Sequence, residues 1–350
     1  MNLYAHFPFC RSKCAYCALL SRAGSTPEAR QAHCARLAAE VSALAAPPDT
    51  IYFGGGSPTL CDLSPIFSAL SPFIFHRSPS PEFTVELHPL DATPATLAAL
   101  RAGGVNRISL GVQSFDDAAL SAMNRRHTAA EAEAAFRAIR AAGFDNAGID
   151  LIAGWPGTSE ASWRATLDRA LALGPDHASV YTLIREPRTR LDLDVRKGRL
   201  VLPSDEEALA QLDCARAALA AAGLVRYEIS NYAKLGFECR HNLAVWRGED
   251  YIGLGEGAHG RIGLTRTQNG AVVSTVTPEE DAVERALFSL RTREGLDLAR
   301  IARLWPILAP RLESWRETLE FFKRQGLLQD SYRLTPRGAE VCDSILAELL

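Results

Sequence analysis

A chain of 350 residues that is 47% hydrophobic and 23% charged has a globular composition, with room for one domain of about 250 residues and a smaller second one. Its formal net charge of −3 gives no broad attraction for nucleic acid, and no apolar run approaches the ~18–20 residues that a membrane span needs. The opening residues lack a basic stretch followed by an apolar one, so no secretory signal is expected, and free thiols without one point to a reducing cytoplasm.

The first short apolar run predicts a strand over 3–7. Directly after it comes C-R-S-K-C-A-Y-C, which places Cys10, Cys14 and Cys17 in one loop. A cuboidal iron–sulfur cluster needs four ligands, so three thiolates would leave one iron open, a mark of chemistry rather than electron storage. A structural zinc site would close with a second paired half, which is missing. The remaining cysteines, Cys34, Cys61, Cys214, Cys239 and Cys342, are scattered, which speaks against a disulfide framework.

Further along, short runs rich in Ile, Val, Phe and Tyr predict strands over 50–53, 83–87, 107–110, 147–152 and 178–183. Helical spacing predicts helices over 27–44, 64–73, 94–102, 129–142 and 160–173. Six strand–helix repeats imply a parallel sheet with right-handed crossovers, either a TIM-type barrel left open on one side or a doubly wound sheet. The unusual residues gather at one edge, where barrels keep their chemistry: the cysteine loop, Gly54-Gly55-Gly56-Ser57-Pro58, Glu86, Gln113, Asp150 and Tyr181. Glycines there let backbone groups approach a ligand closely. Glu86, Gln113, Arg125 and Asp150 have the chemistry to hold a polar small molecule bearing an amine, a carboxylate and a ribose.

A long helix or helix pair is expected over 200–222, and irregular loops with short strands over 226–262. From 278 the pattern changes to helices over 279–290 and 312–325, a β-like 332–334 and a last helix, which suggests a winged-helix-like unit. Arg316, Lys323 and Arg324 are balanced by Glu313, Glu317 and Glu320, so DNA is not the expected partner. The expected division is a barrel over 1–230, a connecting segment over 231–277 and a C-terminal domain over 278–350.

Several of these segments together resemble the radical S-adenosylmethionine (SAM) superfamily, in the branch that holds the oxygen-independent coproporphyrinogen enzyme HemN and the haem chaperone HemW. The resemblance runs through Tyr4-Ala5-His6-Phe7-Pro8-Phe9-Cys10, Gly54-Gly55-Gly56-Ser57-Pro58-Thr59, residues 106–115, residues 149–157 and Tyr227-Glu228-Ile229-Ser230-Asn231-Tyr232-Ala233. It implies an α/β fold, a partial (β/α)6 TIM-type barrel with a C-terminal helical or winged-helix-like domain. It also implies a [4Fe–4S] cluster on Cys10, Cys14 and Cys17, with SAM at the open iron, where reduction yields methionine and a 5′-deoxyadenosyl radical. By the same resemblance Tyr4, Gly55 and Glu86 contact SAM, while Tyr16, Gly56, Ser57, Gln113, Arg125 and Asp150 line its cavity. Ala18-Leu19 follows Cys17 where HemN-type enzymes carry a fourth cysteine, and Cys239-Arg240-His241-Asn242-Leu243-Ala244-Val245-Trp246 resembles a HemW motif proposed to bind haem. The resemblance therefore implies a haem chaperone with His241 as a haem contact. Its partners would be haem, haem-accepting proteins and an electron donor such as flavodoxin or ferredoxin, with no nucleic acid, no transmembrane segment and at most peripheral membrane contact. The alternative is an enzyme of the branch, a coproporphyrinogen dehydrogenase or a methyltransferase.

Overall fold

The computed structural model describes residues 1–75 and 78–350. Six strands carry the first half: β1 (Asn2–Phe7), β2 (Thr50–Gly55), β3 (Glu82–Leu87), β4 (Arg107–Gln113), β5 (Asn146–Ala153) and β6 (His177–Thr182). They lie side by side in chain order, each pair parallel. Their positions are mostly buried, because helices cover the outside of the curved sheet and the inside closes on itself. The covering helices are α1 (Pro27–Ser42), α2 (Ser64–Ile74), α3 (Pro94–Ala102), the short α4 (Asp117–Ala122), α5 (Ala129–Ala141) and α6 (Glu160–Ala172). Local chemistry sets several of their starts. Thr26 and Thr93 cap α1 and α3 just before a proline at the first helical position, and Thr128 with Glu131 forms a capping box on α5.

The sheet extends past both ends of this series. Beside β6 lies β8 (Asn231–Ala233), antiparallel, followed by β7 (Val225–Arg226). Beside β1 lies β9 (Tyr251–Leu254), parallel, with Asn2 opposite Tyr251. Antiparallel β10 (His259–Ile262), β11 (Thr265–Gln268) and β12 (Ala271–Thr275) complete, among the described residues, a sheet of 12 strands. Residues 226–262, expected to be loops and short strands, thus supply a seventh parallel strand. They also form the helix α9 (Arg240–Trp246). Two more helices follow β6, α7 (Arg190–Arg196) and α8 (Asp205–Ala221), the second opened by a Ser204–Glu207 capping box.

Beyond residue 277 the chain builds a second core. Helices α10 (Pro278–Phe288), α11 (Leu298–Leu304), α12 (Leu312–Arg324), α13 (Pro336–Glu340) and α14 (Cys342–Ala347) enclose Leu287, Leu290, Ile301, Leu308, Trp315, Leu319 and Ile345. The expected wing is minimal: a single antiparallel bridge joins Leu328 to Leu334. On α12, Arg316 pairs with Glu313 and Lys323 with Glu320, so this helix presents a mixed-charge face rather than a basic one. Among the described residues no helix is long and apolar enough to cross a membrane.

Candidate functional site

The cysteine loop leaves the C-terminal end of β1 and is fixed by its backbone. Phe9–Cys10 pairs with Arg22–Ala23 in a two-residue parallel ribbon that closes the loop at its base. Ala15 N donates to Met123 O at 2.9 Å, and Ala15 O accepts from Leu191 N at 2.8 Å. Asn124 Nδ2 donates to Lys13 O at 2.8 Å from a left-handed backbone with φ 58°. Arg11 Nε donates to the buried Asp91 at 2.9 Å, and Thr59 Oγ1 holds that carboxylate's other oxygen at 2.9 Å. Cys10, Cys14 and Cys17 are unpaired and partly exposed, whereas Cys34, Cys61, Cys239 and Cys342 are buried.

The end of β2 clamps this loop. Gly56 N donates to Phe7 O at 2.8 Å and Ser57 N to Phe9 O at 2.7 Å. Gly56 has no room for a side chain, since an added Cβ would lie 2.7 Å from Phe7 O and 3.0 Å from Cys10 Sγ. Gly55, at φ 101°, donates its N–H to Glu86 Oε2 at 3.1 Å, and Tyr52 donates its hydroxyl to Oε1 at 3.0 Å. Backbone, carboxylate and thiol are therefore set at fixed spacing by one strand end.

A cavity of about 600 Å³ opens over these strand ends. Its wall takes in Cys10, Cys14 and Cys17 from the loop, Gly55, Gly56 and Ser57 from the glycine run, and Glu86, Gln113, Arg125, Asp150 and Tyr16. Arg125 Nη1 lies 3.5 Å from Cys14 Sγ, and its Nη2 donates to Gly111 O. Gln113 sits at φ 71° beside a register shift in β4, a strained arrangement that turns its side chain toward the cavity. Tyr16 lies edge-on to Trp155, with ring centroids 6.2 Å apart.

Two expected residues lie elsewhere. Tyr4 points into the barrel one layer below, its ring stacked on Tyr52 at 6.1 Å and its hydroxyl 3.0 Å from His6 Nδ1. It borders the cavity only through Tyr52, which lines the wall. His241 lies beneath the cavity wall rather than on it, 5% exposed, its ring 5.2 Å from that of the cavity-lining Tyr52 and 6.4 Å from that of Tyr4, with Nδ1 2.8 Å from Thr50 Oγ1 at the start of β2. Burial, with Arg107 nearby, pushes its pKa down to about 4, so the ring is neutral. It is held there because Glu82 accepts from the backbone N–H groups of Arg240 and His241, at 2.9 and 3.0 Å, and so fixes α9 across the barrel floor.

The strand-end rule missed Tyr52, and it has no hold on Asp91 or Asn124. Tyr52 was within reach: along 50–54 every second residue faces inward, and position 52 falls between the inward Thr50 and the glycine run. Asp91 and Asn124 carry no local pattern, since each acts through a loop distant in sequence.

Two of the carboxyls on the cavity wall, Glu86 and Asp150, influence each other. Ser109 Oγ donates to both oxygens of Asp150, at 2.9 and 3.1 Å, yet burial still pushes the Asp150 pKa up. Burial first, and then the charge of Asp150, raises Glu86 from its ordinary 4.5 to about 7. Between those two values the unfolded chain releases a proton that the folded chain keeps. The contribution of Glu86 to stability is therefore full below pH 4.5 and is lost as pH rises through 7. Protonated Glu86 and an amide have nearly the same shape and are both uncharged, although the amide carries a second donor and accepts only at its oxygen. Glu86→Gln is thus expected to match the parent near pH 4.5 and to exceed it at pH 8 by on the order of 2–3 kcal/mol, measured by urea unfolding across that range. Identical pH profiles for the two proteins would remove the buried-carboxyl account.

The radical SAM superfamily model matches residues 4–170, and the HemN C-terminal domain model matches 276–341. The haem chaperone HemW of Mycobacterium tuberculosis (strain H37Rv) is 34% identical, with the alignment covering 100% of this chain and 94% of that protein. This chain belongs to the radical SAM superfamily, in the HemN/HemW branch. HemW of Bacillus subtilis (strain 168) is likewise 34% identical over 86% of each chain, and the mouse mitochondrial radical SAM domain-containing protein 1 is 31% identical over 99% of this chain and 87% of its own. Among solved structures, Escherichia coli coproporphyrinogen III oxidase HemN superposes with a TM-score of 0.83 at 23% identity, over 99% of this chain and 89% of that one, which shows a shared fold.

A radical SAM protein holds a [4Fe–4S] cluster and SAM, and the donor set fits both. Among the described residues no three His, Cys, Asp or Glu side chains converge on one point, as a mononuclear metal would require. A cuboidal cluster takes each thiolate at a separate iron corner and suits three spaced cysteines. Arg125 Nε is buried with no acceptor while the same guanidinium touches Cys14, as expected where an anionic group is to be seated.

Proposed function

We propose that this chain is a haem chaperone that binds haem and passes it to acceptor proteins, carrying a [4Fe–4S] cluster on Cys10, Cys14 and Cys17 and SAM in the cavity above them. The observation that carries this reading is the 34% identity to proteins named as haem chaperones, spanning 94% of one of them. The loop agrees with it, since Ala18 and Leu19 occupy the positions after Cys17 and offer no fourth thiol.

Cys10, Cys14 and Cys17 would hold the cluster, which when bound and reduced would supply an electron to SAM. The chain's own residues prepare that site. Gly55 and Gly56 bring backbone within reach of the cysteines, and Glu86 and Asp150 offer carboxyl oxygens to an amine and to ribose hydroxyls. Arg125 sets positive charge beside Cys14, and Tyr16, Ser57 and Gln113 complete the wall. Tyr4 acts through Tyr52 and His6. His241 is assigned to haem only if α9 leaves the barrel floor, because as packed its ring is enclosed. The division at residues 230 and 277, a flavodoxin or ferredoxin as electron donor, and a cytoplasmic location belong to the same proposal.

The test is haem titration beside an anaerobic assay with coproporphyrinogen, SAM and a reductant, on one cluster-reconstituted preparation. The expected result is about one haem bound per chain and no protoporphyrinogen formed. Failure to bind haem overturns the proposal, and measurable protoporphyrinogen replaces it with the enzyme of the same branch.

A further inference from the structure

We infer a second ligand site, for a multiply charged oxyanion, in the arginine-lined cleft where the barrel's last edge strand meets the C-terminal helical unit. The cleft has a volume of about 310 Å³, and Arg216, Arg226, Arg291, Arg293 and Arg333 all line it. It shares no lining residue with the cysteine cavity. Its walls are β7 and the end of α8 on one side and residues 291–293 and 329–339 on the other. The two sides are joined by a bridge between Glu228 and Thr292 and by a hydrogen bond from Arg293 N to Tyr227 O at 2.9 Å.

Like charges lining one small space repel one another unless negative charge lies between them. The protein's own carboxylates answer three of the five arginines, through partners that do not themselves line the cleft. Arg216 pairs with Asp213, whose side chain is 54% exposed, and Arg291 with Asp343, whose side chain is 84% exposed, so both pairs are of the weak, solvent-screened kind. Arg293 pairs with Glu238 at 2.9 Å. Glu228 is the one carboxyl among the residues lining the cleft; burial raises its pKa, and it accepts from Ser230 N and Asn231. The exposed Glu340 stands near Arg216 and Arg226. Among the described residues Arg226 and Arg333 have no carboxylate at ion-pair distance.

Arg291 lines this cleft and also the neighbouring cavity that holds its partner Asp343, and its guanidinium lies over Trp246, 5.2 Å from the ring centroid. An anion in the cleft is therefore expected to engage Arg226 and Arg333, the two arginines without a carboxylate partner among the described residues. Guanidinium forks match the paired oxygens of phosphate and carboxylate groups, and two unpaired arginines lining one cleft favour an anion with more than one charge. A phosphate ester and a dicarboxylate share this chemistry. By touching both walls, such an anion would tie the helical unit to the barrel edge.

The experiment uses the full chain at constant ionic strength, with inorganic pyrophosphate and malonate as the two probes in calorimetric titrations. Saturable binding of either is expected, and the tighter probe tells a phosphate from a carboxylate ligand. The double variant Arg226→Gln with Arg333→Gln is expected to weaken binding at least tenfold. A second measurement needs no variant. Bound anion should shield Arg226 and Arg333 from an arginine-specific dicarbonyl reagent, read by peptide mass spectrometry, while Arg316 on α12 reacts as before. Absence of saturable binding by both probes, or binding and shielding that ignore these two arginines, overturns the inference. Haem binding and cluster content test the proposed function separately and are unaffected by either outcome.

Discussion

Cys14→Ala is expected to reduce cluster iron and acid-labile sulfide, after anaerobic reconstitution, from about four of each per chain to nearly none, with the barrel still folded. The two halves of this expectation rest on different atoms. Cluster assembly needs a thiolate from each of Cys10, Cys14 and Cys17, and the remaining cysteines are in no position to substitute: Cys34, Cys61, Cys239 and Cys342 are buried, and Cys214 lies on α8. Loop shape, by contrast, is set by the backbone. The bonds on either side of Cys14, from Asn124 to Lys13 O, from Ala15 N to Met123 O and from Leu191 N to Ala15 O, use no cysteine side chain. The stability change of the cluster-free protein should therefore stay within about 1 kcal/mol. Cys34→Ala gives the opposite pattern. That side chain is 1% exposed in the barrel core, so truncation should cost on the order of 1–2 kcal/mol and leave iron content unchanged. Full iron in Cys14→Ala, by metal analysis and visible absorbance, would contradict the ligand assignment.

The sequence pattern reveals those parts of the fold that depend on local burial. A parallel strand covered on both faces must be short and apolar along its whole length, and each of β1 to β6 stands out for that reason. The strand-end rule then places Gly55, Glu86, Gln113 and Asp150 on one wall without any knowledge of tertiary contacts. What escapes is pairing across long stretches of chain. Tyr251–Leu254 is only four residues long and runs straight into the glycine-rich 255–260, so it does not declare itself, and it becomes a strand because Asn2–Ala5 offers it a parallel edge. Helix α9 is similar. Its N-cap, Cys239, makes no side-chain cap, and the work is done by Glu82 from a strand more than 150 residues earlier. The motif around His241 thus has a packing task in this fold that its sequence does not show.

The site shows the same division. Cysteine spacing and the glycine run are visible because several consecutive residues act together. Asp91, Asn124 and Tyr52 act singly and through partners remote in the chain, so only the folded barrel shows that they hold the cysteine loop and Glu86. A residue whose task is to hold another in place leaves a weaker trace than one that meets the ligand.

The glycine run allows a sharp separation between space and strain, and Gly56→Ala is expected to have the second large effect. A Cβ at position 56 would lie 2.7 Å from Phe7 O, closer still to Phe9 O, and 3.0 Å from Cys10 Sγ. Two of these neighbours are backbone and cannot rotate away. The extra methyl must push the base of the cysteine loop off the end of β2, lengthening the bonds from Gly56 N to Phe7 O and from Ser57 N to Phe9 O. Overpacking of this kind costs about 1–3 kcal/mol, and here it displaces Cys10 itself. The variant should both unfold at lower denaturant and take up less than about half the normal iron, since a donor about 1 Å out of place no longer meets its metal corner. Gly157→Ala supplies the control. Gly157 has φ 79° but nothing within 4 Å of the added carbon, so it should lose about 1 kcal/mol from backbone strain and keep its iron. If both variants lose stability alike and both retain full iron, close approach at Gly56 has no part in seating the cluster, and the glycine run is a turn and nothing more.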